Sequence, residues 1–152
     1  ETWSGGCLES IDAVTDDNGS NYEVNGFLSE NGFLVETGEG SASLGTDCMR
    51  SFAYWDPAIL DSSRLLNSQT GEMENVEIVS LGRHELTFGS SRFDAEKFEI
   101  NMQDGPIKLW YGVDDGRWLA LEAPAKGGRT IRYEPVILPG KPQDSDQRIA
   151  LN

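Results

Sequence analysis

No stretch of this 152-residue chain approaches the ~20 consecutive apolar residues that a membrane-spanning helix requires, so an integral membrane protein is not expected. Positive charge is scarce. Against 26 Asp and Glu stand 12 Lys and Arg, a formal net charge of −14, and the cations are scattered along the chain. Such a surface repels phosphate, which makes nucleic acid a poor partner. Histidine occurs once and cysteine twice, with no Cys-x-x-Cys pair, so neither a metal site nor a cofactor is expected. No fixed-period repeat or low-complexity tract is present, which sets aside solenoids and propellers.

What is present is a globular composition, 38% hydrophobic and 9% aromatic with 17 glycines. A chain of this length buries about 70% of its unfolded surface and needs no metal to make a core. The opening Glu1-Thr2-Trp3-Ser4 carries neither an initiator Met nor signal-peptide regions, so the expectation is a chain that starts after a processing boundary. Prolines punctuate a polar stretch from Pro139 onward. The expected organisation is therefore a single β-domain over 1–138 and a polar C-terminal tail over 139–152. An even cysteine count without neighbouring histidines suits a Cys7–Cys48 disulfide better than a metal, and implies an oxidising compartment; two buried free thiols are the alternative.

Short β-type segments alternate with turn dipeptides every eight to twelve residues, the pattern of an antiparallel all-β domain. Leu8 to Thr15, Tyr22 to Leu28 and Phe33 to Thr37 form a first meander around Asn18-Gly19 and Asn31-Gly32, and the glycine-rich Gly38 to Gly45 breaks it. Asp56 and Pro57 are a cap and a first helical residue, which predicts one short helix near 57–63. Strands resume at Val76 to Leu81. Along Glu96 to Met102, alternation puts Phe98, Ile100 and Met102 inward. Ile107 to Tyr111, Trp118 to Leu121 and Thr130 to Tyr133 complete a second meander, for a total of about 8–10 strands.

Several motifs together carry a resemblance: Glu1-Thr-Trp-Ser-Gly-Gly-Cys7, Asp17-Asn-Gly19, Cys48 with Phe52-Ala-Tyr-Trp55-Asp-Pro57, Leu65-Leu-Asn-Ser-Gln-Thr-Gly71, Leu109-Trp-Tyr111 and Gly127-Gly-Arg129. The chain resembles, over about residues 1 to 134, an uncharacterised family of exported bacterial proteins, number 6134 in the domain-of-unknown-function series. The resemblance implies a periplasmic or secreted location. It also implies an additional N-terminal stretch, with strands and a Gly-x-His type motif, which this sequence lacks. The order of strands, helix and strands is similar to periplasmic lipoprotein-carrier-type folds, in which a strongly curved sheet or half-barrel wraps an apolar cavity.

Aromatic clusters either fill a core or line a pocket. Candidate ligand-binding residues are Tyr54, Trp55, Trp110 and Tyr111, with Asn67 and Gln69 as amide donors and acceptors and Arg129 as a cation. On the alternation above Trp110 faces away from Ile107, Leu109 and Tyr111, which leaves an indole on the second sheet face. Asn67 to Gly71 has an alternative job, satisfying helix-end carbonyls. A Cys48, Arg50 and His84 nucleophile lacks any local signature, and disappears if Cys48 is bonded to Cys7. An EF-hand loop with Gly19 sixth would put Val14 first and Asn25 twelfth, where carboxylates are needed, so that motif fails. Asp114-Asp115-Gly116 is a hairpin turn, and the Asn18-Gly19-Ser20 sequon falls in another.

The leading expectation is a noncatalytic exported β-domain, with no catalytic residues, that binds a lipid or other apolar or amphipathic small molecule, or an envelope partner. One alternative is an enzyme in a β-barrel pocket using groups such as Arg50, Asp56, His84 or Arg129. Another is a structural or assembly module that self-associates, or pairs with the missing N-terminal segment, through an open strand edge near Thr2-Trp3.

Overall fold

The computed structural model describes residues 1–45 and 48–135; the expected boundary at 138 and the tail 139–152 lie outside the described residues. Twelve strands form among the described residues. The first five, β1 (Thr2–Ser4), β2 (Cys7–Asp17), β3 (Ser20–Ser29), β4 (Gly32–Thr37) and β5 (Gly40–Ser43), make one antiparallel sheet in sequence order. A short ribbon follows, β6 (Arg64–Leu66) paired with β7 (Met73–Asn75). The last five, β8 (Glu77–Phe88), β9 (Ser91–Asn101), β10 (Ile107–Gly112), β11 (Trp118–Ala125) and β12 (Arg129–Tyr133), make a second sheet, again in sequence order.

The all-β antiparallel reading therefore holds, with three corrections. There are twelve strands where 8–10 were expected, because β1, β5, β6 and β7 are only three or four residues long. No closed barrel forms among the described residues; the strands divide into two open sheets and a ribbon. The glycine-rich Gly38 to Gly45 does not end the first meander, because Gly40–Ser43 pairs with β4 through Leu34↔Ser43 and Thr37↔Gly40. The predicted helix is a 3-10 helix over Pro57–Asp61, shorter than 57–63, with the Asp56 carboxylate accepting from the Ala58 N–H at 3.0 Å and Pro57 at its start. Its last turn closes through Ser62 N–H to the Ile59 carbonyl.

Each sheet buries one face. Leu8, Ile11, Val24, Phe33 and Val35 from β2 to β4 form a first core with Met49 and Leu66. Ile100, Leu109, Tyr111 and Leu121 from β9 to β11 form a second with Ile59, Leu65 and Val76. Leu65 and Leu66, both fully buried, are neighbours on β6, and strand alternation sends them to opposite sides. The ribbon is thus the shared wall of two cores. Backbone bonds fix it there: Leu8 N–H to the Met49 carbonyl and Leu66 N–H to the Arg50 carbonyl, each 2.8 Å. In the first core only glycine fits at position 26, where a Cβ would lie 2.7 Å from the Phe33 ring and 2.9 Å from Ile11.

Candidate functional site

A disulfide joins Cys7 to Cys48 across a Cα–Cα distance of 5.0 Å. It ties the start of β2 to the central segment and leaves no thiol at Cys48, which removes the cysteine nucleophile. Nearby, Trp3 of β1 meets Trp55 edge to face with ring centroids 5.4 Å apart, and Trp55 remains more than half exposed.

The other aromatic candidates have structural partners. Tyr111 is buried in the second core and its hydroxyl donates to the Tyr54 carbonyl at 2.8 Å. Burial pushes the Tyr54 phenol up to about 12, with Tyr133 adding to it, and raises Tyr111 further, again chiefly through burial. Tyr54 itself packs between Phe52 and Trp118. Trp110 does lie on the second face of its sheet, half-buried, as alternation predicts. Directly opposite it in the register is Lys97, whose ammonium sits 5.0 Å from the ring centroid, so a cation–π contact covers the indole.

The polar candidates are spread more widely. Asn67 accepts from the Gln69 N–H at 2.9 Å and donates to Glu74 at 3.3 Å, closing the turn between β6 and β7. This turn has no helix end to cap, since the 3-10 helix stops at Asp61. Arg129 is exposed on β12, donates to the Lys126 carbonyl at 3.3 Å, and borders a small open cavity of about 260 Å³ with Lys108 and Glu122. Of the enzyme candidates, Asp56 is the helix cap, Arg50 has a buried Nε without a hydrogen-bond partner, and His84 is exposed on β8. β8 and β12 are opposite edges of one five-stranded sheet, which puts three strands between His84 and Arg129.

Gln69 borders a sizeable concavity among the described residues, an open groove of about 660 Å³. One wall is β3 with Asn21, Tyr22, Glu23 and Asn25; a second is the end of β4 and the turn after it, with Glu36, Thr37 and Glu39; the third is the turn with Gln69, Thr70 and Glu72. Gly71, at φ +76°, holds that turn against the sheet, since a Cβ there would lie 2.7 Å from Thr37 and 2.9 Å from Val35. Among the described residues, four carboxylates and no cationic side chain line the groove. Among the described residues no three of His, Cys, Asp and Glu gather as a metal-holding group, so these acids are dispersed along the walls. Tyr22, about half exposed, supplies the aromatic surface. Sequence reasoning missed all of these lining residues except Gln69. Unequal turn spacing is the signal that points to them: Asn18-Gly19, Asn31-Gly32 and Gly38 make β3 longer than β4 and leave one end of β3 uncovered.

A family model described as a domain of unknown function, DUF6134, matches residues 1–136. The chain belongs to this family. The match spans both sheets and the ribbon between them, so the matched region of this chain includes the groove, the disulfide and both cores. No curated protein and no solved structure matches the chain.

Proposed function

We propose that this DUF6134 domain is a noncatalytic, exported binding module whose ligand is amphipathic and carries positive charge, or is an envelope partner presenting such a group. The groove at the end of β3 carries the reading. It combines the face of Tyr22 with Glu23, Glu36, Glu39 and Glu72, so it offers apolar contact beside uncompensated negative charge. Against an enzyme stand the separation of His84 from Arg129 and the structural employment of Asp56. A disulfide between strand and connector favours an oxidising compartment, periplasmic or extracellular.

The variant in which a curved half-barrel sheet, as in lipoprotein carriers, encloses a purely apolar lipid is less favoured. Such a lipid would have to displace Leu65 or Leu66 and the side chains around them. Amide chemical shifts of the labelled chain, titrated with dodecyltrimethylammonium below its micelle concentration and separately with laurate, test the proposal. Shifts at Tyr22, Thr37, Gln69 and Thr70 with the cation alone are the expected result; no shift with either probe, or a preference for laurate, would overturn it.

A structural or assembly role is favoured by one observation, that β1 is an edge strand with β2 as its one sheet neighbour. Light scattering over a range of concentrations checks it. A monomer throughout leaves that role without a self-association surface.

A further inference from the structure

The three strands that build the groove stop at different places. β3 pairs with β2 along its whole start, from Asp17↔Ser20 through Val14↔Glu23, whereas its pairing with β4 begins only at Val24↔Thr37. Beyond Thr37 the chain turns away through Gly38 and Glu39 to enter β5. Ser20–Glu23 is therefore extended backbone with a sheet partner on one side, and its other side opens into the groove. Alternate residues of such a segment present their N–H and C=O groups to the vacant side. A free edge of this kind accepts another extended chain, with main-chain hydrogen bonds giving affinity and side-chain contacts giving selectivity.

The walls state which chain. Residues 1–49 contain ten Asp and Glu and no Lys, Arg or His, so the first sheet supplies charge of one sign, and the cation that reaches it, Lys126, is taken up by Asp17 at the end of β2. The four groove carboxylates share in that charge, and none of them is in an ion pair among the described residues. Glu23 and Glu36 stand on the solvent face of the sheet, Glu39 at the turn into β5, and Glu72 on the opposite wall. An entering strand in line with β4 would thus pass between carboxylates on both sides.

We infer that Ser20–Glu23 is a strand-addition site for an extended, Lys- or Arg-bearing segment of another protein, which continues the line of β4 across the groove. The inference rests on the groove being the binding site, and it specifies the partner as a basic peptide in β conformation. Four residues of partner, about 13 Å at the rise of a strand, fill the vacancy.

Fluorescence anisotropy of the full chain with a labelled peptide of alternating lysine and valine tests it, beside two relatives: the same peptide with glutamate for lysine, and one methylated on alternate backbone nitrogens. The basic peptide is expected to bind, more weakly as salt rises, and to shift the amides of Ser20–Glu23. The glutamate peptide is expected not to bind. Backbone methylation should weaken binding about tenfold or more, since it removes main-chain hydrogen bonds to β3. The surface change E36Q/E72Q should weaken it about three- to tenfold by removing two partly exposed charge contacts. Equal binding of the methylated peptide, or shifts confined to β8 or β12, would overturn strand addition. If dodecyltrimethylammonium binds the groove and the basic peptide does not, the partner assignment falls and the ligand-binding reading stands; if neither binds, both fall.

Discussion

The two sheets share a size and an up-and-down order, yet they handle charge in opposite ways. On the solvent face of the second, one row of directly opposed residues runs Glu99, Lys108, Glu122, Arg132, alternating in sign. Lys108 and Arg132 approach Glu122 to 3.6 Å and 2.8 Å, and together they hold its carboxyl below the usual range, with the Arg132 hydrogen bond foremost. Residues 77–133 carry nine acids against eight Lys and Arg. The corresponding row of the first sheet runs Asp12, Asn25, Glu36, Ser41, with no cation to answer it. What reaches it from the other half is Lys126, which pairs with Asp17, depressing that carboxyl and raising its own ammonium. A sheet that balances its charge internally has nothing left to offer a charged partner. The unbalanced one keeps its field available, and it depends on other means to stay folded.

The disulfide is the strongest of those means, so removing it is the sharpest way to separate the halves. C7S/C48S is expected to cost about 4 kcal/mol on the chain-entropy view of a loop this long. Hydrogen exchange should show protection falling first at Leu8–Ala13 and β3, with β9 to β11 less affected. Equal loss in both sheets would mean that the covalent tie serves the whole molecule. The leucines give the next largest contrast. L66A and L65A each create a hole worth about 3 kcal/mol, but the first should loosen β2 to β4 and the second β9 to β11. Identical exchange patterns would erase the distinction between the cores.

Alkaline pH addresses the second sheet. Tyr54 and Tyr111 have phenols raised above their unfolded value near 10, so the folded state holds those protons more tightly than the unfolded state does. Their contribution is fully present below pH 10; that of Tyr54, on the order of 2 kcal/mol, is lost as pH rises through about 12, and that of Tyr111 is lost at still higher pH. Denaturation followed from pH 9 to 12 should show this decline, and Y111F should reduce it. Salt gives the smallest effect, expected below about 1 kcal/mol: screening relieves repulsion in the first sheet and weakens the ladder of the second, so their exchange protection should move in opposite directions.

Turn chemistry made most hairpins legible. Asn18 at φ 56° and Gly19 at φ 88° form the β2–β3 turn that the dipeptide announces, and Gly116 likewise takes positive φ at its predicted turn. Alternation gave the inward set Ile100, Leu109 and Tyr111. The short strands escaped because Gly40–Ser43 is Gly-Ser-Ala-Ser, without a β-branched or aromatic residue, and its extended state is set by its neighbour β4. Leu65 and Leu66 followed a helix signal, and nothing local says that each belongs to a different core. Of the groove, Gln69 was visible as a loop amide. Tyr22, Glu36 and Glu72 come from three separate segments, and their meeting depends on where β4 ends, a matter of pairing length that no single segment encodes.

The three residues of β6 also make the protein indivisible. A chain divided after Leu66 would give the N-terminal fragment Ile59 and Leu65, which it cannot bury, and leave their holes in the other; divided before Arg64, the second fragment still lacks Ile59 and carries a stranded Leu66, whose hole passes to the first core. Neither meander is therefore a transferable part. Recombination that moves one sheet without the connector produces two incomplete cores from what looked like two complete sheets.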